Sequence, residues 1–236
     1  MMSTKNTLRL VAVAELTFFV GFALIAKRIA DPFFWRYAGP VTLITTLLLL
    51  TGYMRWRGER WSSMGLIPLP GIKAKLKLIP QTLLVFCAFA AAVATVMLGA
   101  EALGLQFMSE MPEGVEERWG DITGNLGLYL LWLGIVWTSA AFGEEMFFRG
   151  FIITRLESVF GGVKFASVLA VIAAAAFFGY VHMYYQGMRG FVTTGAIGLA
   201  FGAMFLLMKR NLWPVIIVHG LVDTIGFTAR FLDLDP

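Results

Sequence analysis

The chain has 236 residues, 58% of them hydrophobic and 14% charged, with net charge +4 and mean hydropathy +0.77. Soluble domains carry about 25% charged residues, so this composition excludes a soluble domain or a disordered tail and describes an integral membrane protein. Long apolar runs without period-2 alternation also exclude a β-barrel, which leaves helices to satisfy the backbone in lipid.

Apolar stretches of about 17–25 residues can cross a bilayer core of about 30 Å. In chain order they fall at 8–26, 38–54, 78–100, 126–142 with a continuation towards 160, 165–182, 191–208 and 212–231. The first follows Lys5 and Arg9 as a signal peptide would, but its apolar run is long, contains Glu15 and lacks a small-x-small cleavage site. It is therefore read as an uncleaved helix in which Glu15 snorkels or pairs. The third holds the single cysteine, Cys87, which can form no intramolecular disulfide and is read as packing. No internal repeat is evident. The expected fold is all-α: a polytopic integral membrane helical bundle of about seven transmembrane helices (six to eight), forming one domain over residues 1–236.

Charge sets an orientation. Arg55, Arg57, Arg60, Lys73, Lys75 and Lys77 follow the second span, with Glu59 the one acid among them; Glu101, Glu110, Glu113, Glu116, Glu117 and Asp121 follow the third, with Arg118 the one base. Cytoplasmic loops collect Lys and Arg, so the first loop is expected inside and the second outside. Lys209 and Arg210 agree, and seven spans then give a cytoplasmic N-terminus; Lys27, Arg28 and Arg36 run against this pattern. The basic patch beside Trp56 and Trp61 is read as a topology determinant at anionic lipid, with no nucleic-acid partner expected.

Against this apolar background, Glu144, Glu145 and Arg149 lie within six residues of each other in SAAFGEEMFFRGFIITRL (139–156). Ionisable groups at membrane depth are costly and are functional candidates by default. Glu145 and Arg149, at i and i+4, can be a structural ion pair, whereas Glu144 points about 100° off that face and has no local partner. Both histidines of the chain also fall in spans: Phe178 and His182 at i and i+4 in the fifth, His219 and Asp223 at i and i+4 in the seventh. A carboxylate beside an imidazole can activate water and return a proton to a leaving amine. Alternatively His182, His219 and Asp223 are a plausible first shell for a divalent metal such as zinc, with a glutamate as base. No HExxH, GxSxG, catalytic Cys with a nearby His, or second intramembrane Asp offers another hydrolase chemistry.

EEMFFR, FGYVH and HGLVD, in that order on three spans, resemble the EExxxR, FxxxH and HxxxN/D motifs of the CAAX-protease and bacteriocin-processing (CPBP, or Abi) family of intramembrane endopeptidases, which includes the type II CAAX prenyl proteases. The resemblance covers about residues 126–230, the expected catalytic core, and RWSSMGL ahead of it is similar to what members often show. It implies that Glu144 activates water with His182, that Glu145 and Arg149 are a supporting pair orienting Glu144, and that His219 and Asp223 hold the oxyanion or a metal. Asp223 stands where the better-understood members carry Asn, and an ionised Asp cannot donate a hydrogen bond. The expected partners are membrane lipid and a membrane-associated peptide or protein substrate, in the cytoplasmic membrane of a prokaryote. A non-catalytic scaffold or immunity protein of the same fold, and a proton-coupled transporter, are the rival readings.

One point of arithmetic runs against convergence. At about 1.5 Å per residue, His182 lies about 27 Å from Lys164 but His219 only about 13 Å from Arg210, although both bases should mark the inner surface. A fourth span running on to Phe160 would account for the mismatch.

Overall fold

A computed structural model describes residues 4–110 and 115–234, and its elements there are helical throughout. Glu113 of the acidic loop lies outside the described residues, as do the side chains of Lys5 and Glu116.

Helix α1 (Thr4–Phe34) packs along α2 (Ala38–Trp56). The short α3 (Gly71–Leu76) leads into α4 (Leu78–Ala102), and α5 (Val115–Trp119) caps the far end of the bundle. A single rod then runs from Leu126 to Val159: α6 (Leu126–Ile135), a segment wound as a π-helix (Val136–Ile153) and α7 (Thr154–Val159). Asn125 starts it, its side chain accepting a hydrogen bond from Leu128 N at 3.1 Å. Helices α8 (Ala166–Leu207) and α9 (Trp213–Phe231) complete the chain, α9 opening with Pro214, which gives up no hydrogen bond there.

Among the described residues, five helical stretches are long and apolar enough to cross a membrane: Asn6–Phe34, Gly71–Ala102, Leu126–Val159, Ala166–Leu207 and Trp213–Phe231. The 42-residue α8 is a helical hairpin, because Gly187 (φ 61°, ψ −158°) reverses the chain in a conformation open essentially to glycine alone. Its two arms, 166–186 and 188–207, touch backbone to backbone. A Cβ on Gly179 would lie 2.5 Å from the Phe191 carbonyl, and one on Gly198 would lie 3.1 Å from Ala175 Cα. Small residues allow this approach, and in lipid close van der Waals contact is what holds helices together. The hairpin gives the two expected spans at 165–182 and 191–208; α2, expected as a span over 38–54, is as long as α9 at 19 residues but is not among the five.

The π segment is the axis of the bundle and packs against α2, α8 and α9. Met146, Phe147, Phe151 and Ile153 from it fill the main core with Phe19, Leu50, Phe178 and Phe205. RWSSMGL folds against the Gly150 end of this segment. Gly150 leaves room there for the Met64 carbonyl, Gly65 adopts φ 93° under Arg210, and Leu212 N donates to Gly65 O at 3.0 Å.

Ion pairs tie the same end together. Glu15, 5% exposed, accepts from Tyr53 at 2.7 Å and pairs with Arg155, which also reaches Glu59 at 2.8 Å. Glu15 therefore pairs rather than snorkels. Arg210 grips Glu157 through two bonds of 2.6 and 2.7 Å. This contact puts Arg210 at the level of Glu157 in the long fourth rod, with Lys164 in the turn beyond that rod. At the other end, Lys27 is matched by Asp31 at 2.9 Å and Arg36 donates to the Glu117 carbonyl at 3.0 Å.

Candidate active site

Three elements meet around one cavity of about 510 Å³, lined among others by Glu144, Phe178, His182, His219 and Asp223. The π segment supplies Glu144, the first arm of α8 supplies Phe178 and His182, and α9 supplies His219 and Asp223. Gly220 lets α9 come close, since a Cβ there would meet the Trp137 ring at 2.6 Å.

The two adjacent glutamates have separate surroundings. Glu145 is fully buried and Arg149 is 2% exposed; Arg149 Nη1 donates to Glu145 Oε1 at 3.0 Å. His219 Nδ1 reaches that same oxygen at 2.8 Å, and because a carboxylate accepts, the imidazole nitrogen is the donor. The guanidinium lies over the Phe178 ring at 4.4 Å and the Phe201 ring at 5.4 Å. Glu145 Oε2 and Arg149 Nη2 have no hydrogen-bond partner among the described residues. Glu145 thus holds His219 as well as Arg149, where the sequence reading had the pair orienting Glu144.

Glu144 faces the cavity, its Oε2 3.9 Å from His182 Nε2. That distance is too long for a direct hydrogen bond and suits two groups that share one water. His182 is oriented from behind, with Nδ1 2.8 Å from the Phe178 carbonyl. A carbonyl only accepts, so Nδ1 carries a proton, and in the neutral ring Nε2 would present its lone pair towards Glu144. Phe178 therefore acts twice, through its carbonyl on His182 and through its ring on Arg149. On α9, His219 Nε2 faces Asp223 Oδ2 at 3.5 Å.

Among the described residues no three His, Cys, Asp or Glu side chains group to hold a metal ion: His219 and Asp223 face each other, whereas His182 faces Glu144. Conversely, Arg118, Tyr185 and Trp132 line the cavity without having been singled out from the sequence. For Arg118 the available signal was its place as the one base in an acidic loop.

Fold and site together define a polytopic helical membrane protein with a carboxylate and histidine cavity inside its bundle. Residues 126–225 match the family described as Type II CAAX prenyl endopeptidase Rce1-like, which bears out the resemblance carried by the three motifs and supports a peptidase of the CAAX-protease type. No curated protein and no solved structure matches the chain.

Proposed function

We propose that the protein is an intramembrane endopeptidase that hydrolyses a peptide bond of a membrane-associated peptide or protein, with its catalytic residues within 126–230. The observation that carries this reading is the facing pair Glu144 Oε2 and His182 Nε2, 3.9 Å apart on the wall of a cavity that His219 and Asp223 also line.

A water between Glu144 and His182 donates a hydrogen bond to each. As its oxygen attacks the scissile carbonyl carbon, one proton passes to the Glu144 carboxylate, with His182 holding the other hydrogen in line. The carbonyl oxygen becomes an oxyanion. In this reading His219 carries a proton on each nitrogen, giving one to Glu145 and presenting Nε2–H to the oxyanion, with Asp223 balancing the imidazolium. Collapse of the tetrahedral species breaks the C–N bond, and the proton held by Glu144 goes to the leaving amine. No step requires a metal.

The reading places the protein in the cytoplasmic membrane of a prokaryotic cell with the N-terminus inside. The basic loop after α2 supports that orientation, as do the partners that match Lys27 and Arg36 at the other end.

The test is cleavage of a lipid-anchored peptide library by the purified full chain in lipid nanodiscs, beside Glu144→Gln. Product is expected from the wild type alone. Equal product from both would remove Glu144 from the chemistry, and none from either would remove the activity.

A further inference from the structure

Arg118 on α5 stands out among the cations at the cavity. Its side chain is 7% exposed, it lines the cavity, and its guanidinium carbon lies 4.4 Å from the centre of the Tyr185 ring. None of the ion pairs or side-chain hydrogen bonds of the described residues engages it, whereas Lys27, also at the cavity, is matched by Asp31. The bundle makes room for it: a Cβ on Gly39 would lie 3.3 Å from Arg118 Nη2.

A buried cation is held at the expense of its hydration, and a cation–π contact offsets only part of that cost. Elsewhere in this protein the buried or half-buried arginines 149, 155 and 210 each have a carboxylate. Arg118 has an aromatic face beneath it and the cavity in front of it, which is the setting for a counter-charge that arrives with a ligand. A guanidinium presents a planar fork of donors that fits a carboxylate through two parallel hydrogen bonds.

We propose that Arg118 is a specificity-determining anion subsite of the same cavity and receives a carboxylate of the peptide substrate. Tyr185 is the spacer: its ring stacks under Arg118 and lies 5.9 Å from the His182 ring. An extended chain advances about 3.3–3.6 Å per residue, so with both groups this close to the Tyr185 ring the guanidinium lies within at most about three residues of peptide from the imidazole. The carboxylate therefore belongs to a residue that close to the scissile bond, as an Asp or Glu side chain or as a chain terminus. This proposal rests on the peptidase reading for the identity of the ligand but not for its test.

Binding is measured on the full chain carrying Glu144→Gln in nanodiscs of zwitterionic lipid, which needs no turnover. The probes are fluorescent N-palmitoylated hexapeptides of one sequence: a C-terminal acid, its C-terminal amide, and an amide with Glu replacing Gln near the terminus. At least one of the two carboxylate peptides should bind about 10- to 100-fold more tightly than the neutral amide, the range expected of a charge-assisted bond. Which of them does so identifies the source of the carboxylate. Adding Arg118→Gln should bring that ratio to about one with the neutral amide still bound, and Arg118→Lys should keep part of it. Equal binding of all three peptides, a preference surviving Arg118→Gln, or equal weakening of all three by that change would overturn the proposal. If Arg118→Gln does not fold, the comparison without it and with Arg118→Lys still decides. Should the wild type cleave no peptide, the peptidase reading fails while the binding ratio stands on its own.

Discussion

Replacing Arg149 by methionine keeps most of the side-chain volume but leaves Glu145 as an unpaired carboxylate in the bundle interior. Glu145 is fully buried and Arg149 only 2% exposed, so water cannot take over the lost partner. Breaking a buried pair on one side costs about 3–5 kcal/mol, a large share of a domain stability of about 5–15 kcal/mol. The companion variant is Glu145→Gln with Arg149→Met. It removes both charges, and the amide oxygen still accepts from His219 Nδ1, which now uses Glu145 Oε1 at 2.8 Å. Replacing a whole buried pair is often close to neutral; loss of the guanidinium from the Phe178 and Phe201 rings accounts for up to about 2 kcal/mol. The double variant should therefore recover at least half of the stability lost in Arg149→Met, an interaction readable from a double-mutant cycle. Equilibrium unfolding in mixed micelles gives the four stabilities needed. The reasoning is refuted if Arg149→Met loses less than about 1 kcal/mol, or if the double variant is no more stable than the single one.

Glu144→Gln should abolish cleavage while leaving the melting temperature of the protein unchanged, because Glu144 faces the cavity and supports no buried partner; product assays and thermal melts in one preparation check both. Asp223→Asn should retain cleavage, since Asp223 is 3.5 Å from His219 and partly exposed, and exhaustive chelation should also leave activity intact. Loss of activity on chelation that zinc restores would show the metal-free reading to be wrong. Glu15→Ala leaves Arg155, 13% exposed, with Glu59 as its remaining partner, and should cost about 1–3 kcal/mol by equilibrium unfolding, less than loss of a fully buried pair. Gly179→Val forces apart two backbones at the Phe191 carbonyl and should destabilise by about 1–3 kcal/mol or more; a variant as stable as the wild type would mean that the two arms of α8 separate freely.

Composition and hydropathy made the helical membrane bundle legible, and residue spacing made the ionisable positions within it legible. EEMFFR, FGYVH and HGLVD named the residues that line the cavity, although up to 79 positions separate them. What spacing could not convey was partner choice. Glu145 and Arg149 at i and i+4 satisfy a local rule so well that a third member, His219, 74 residues away, left no trace in the local pattern. The neighbour of Arg210 was out of reach for the same reason: it lies beside Glu157, a contact that hydropathy cannot report. Arg118 escaped notice because a charge in a loop reads as solvated, and only the folded chain puts it over the Tyr185 ring and against Gly39.

The reversal at Gly187 has a consequence for how the protein is made. Residues 166–207 are two arms joined by one glycine, with no polar loop that could cross the bilayer ahead of the second arm. Each arm taken alone would leave its own glycine face against lipid and would place Met188 and Arg189 at an end without a connecting loop. Entering the membrane as one unit, its arms already in contact, the pair would bury both glycine faces and keep Arg189 at its tip. Lateral release of residues 166–207 from the insertion machinery, and with it the placement of His182, would then wait until the second arm has been synthesised.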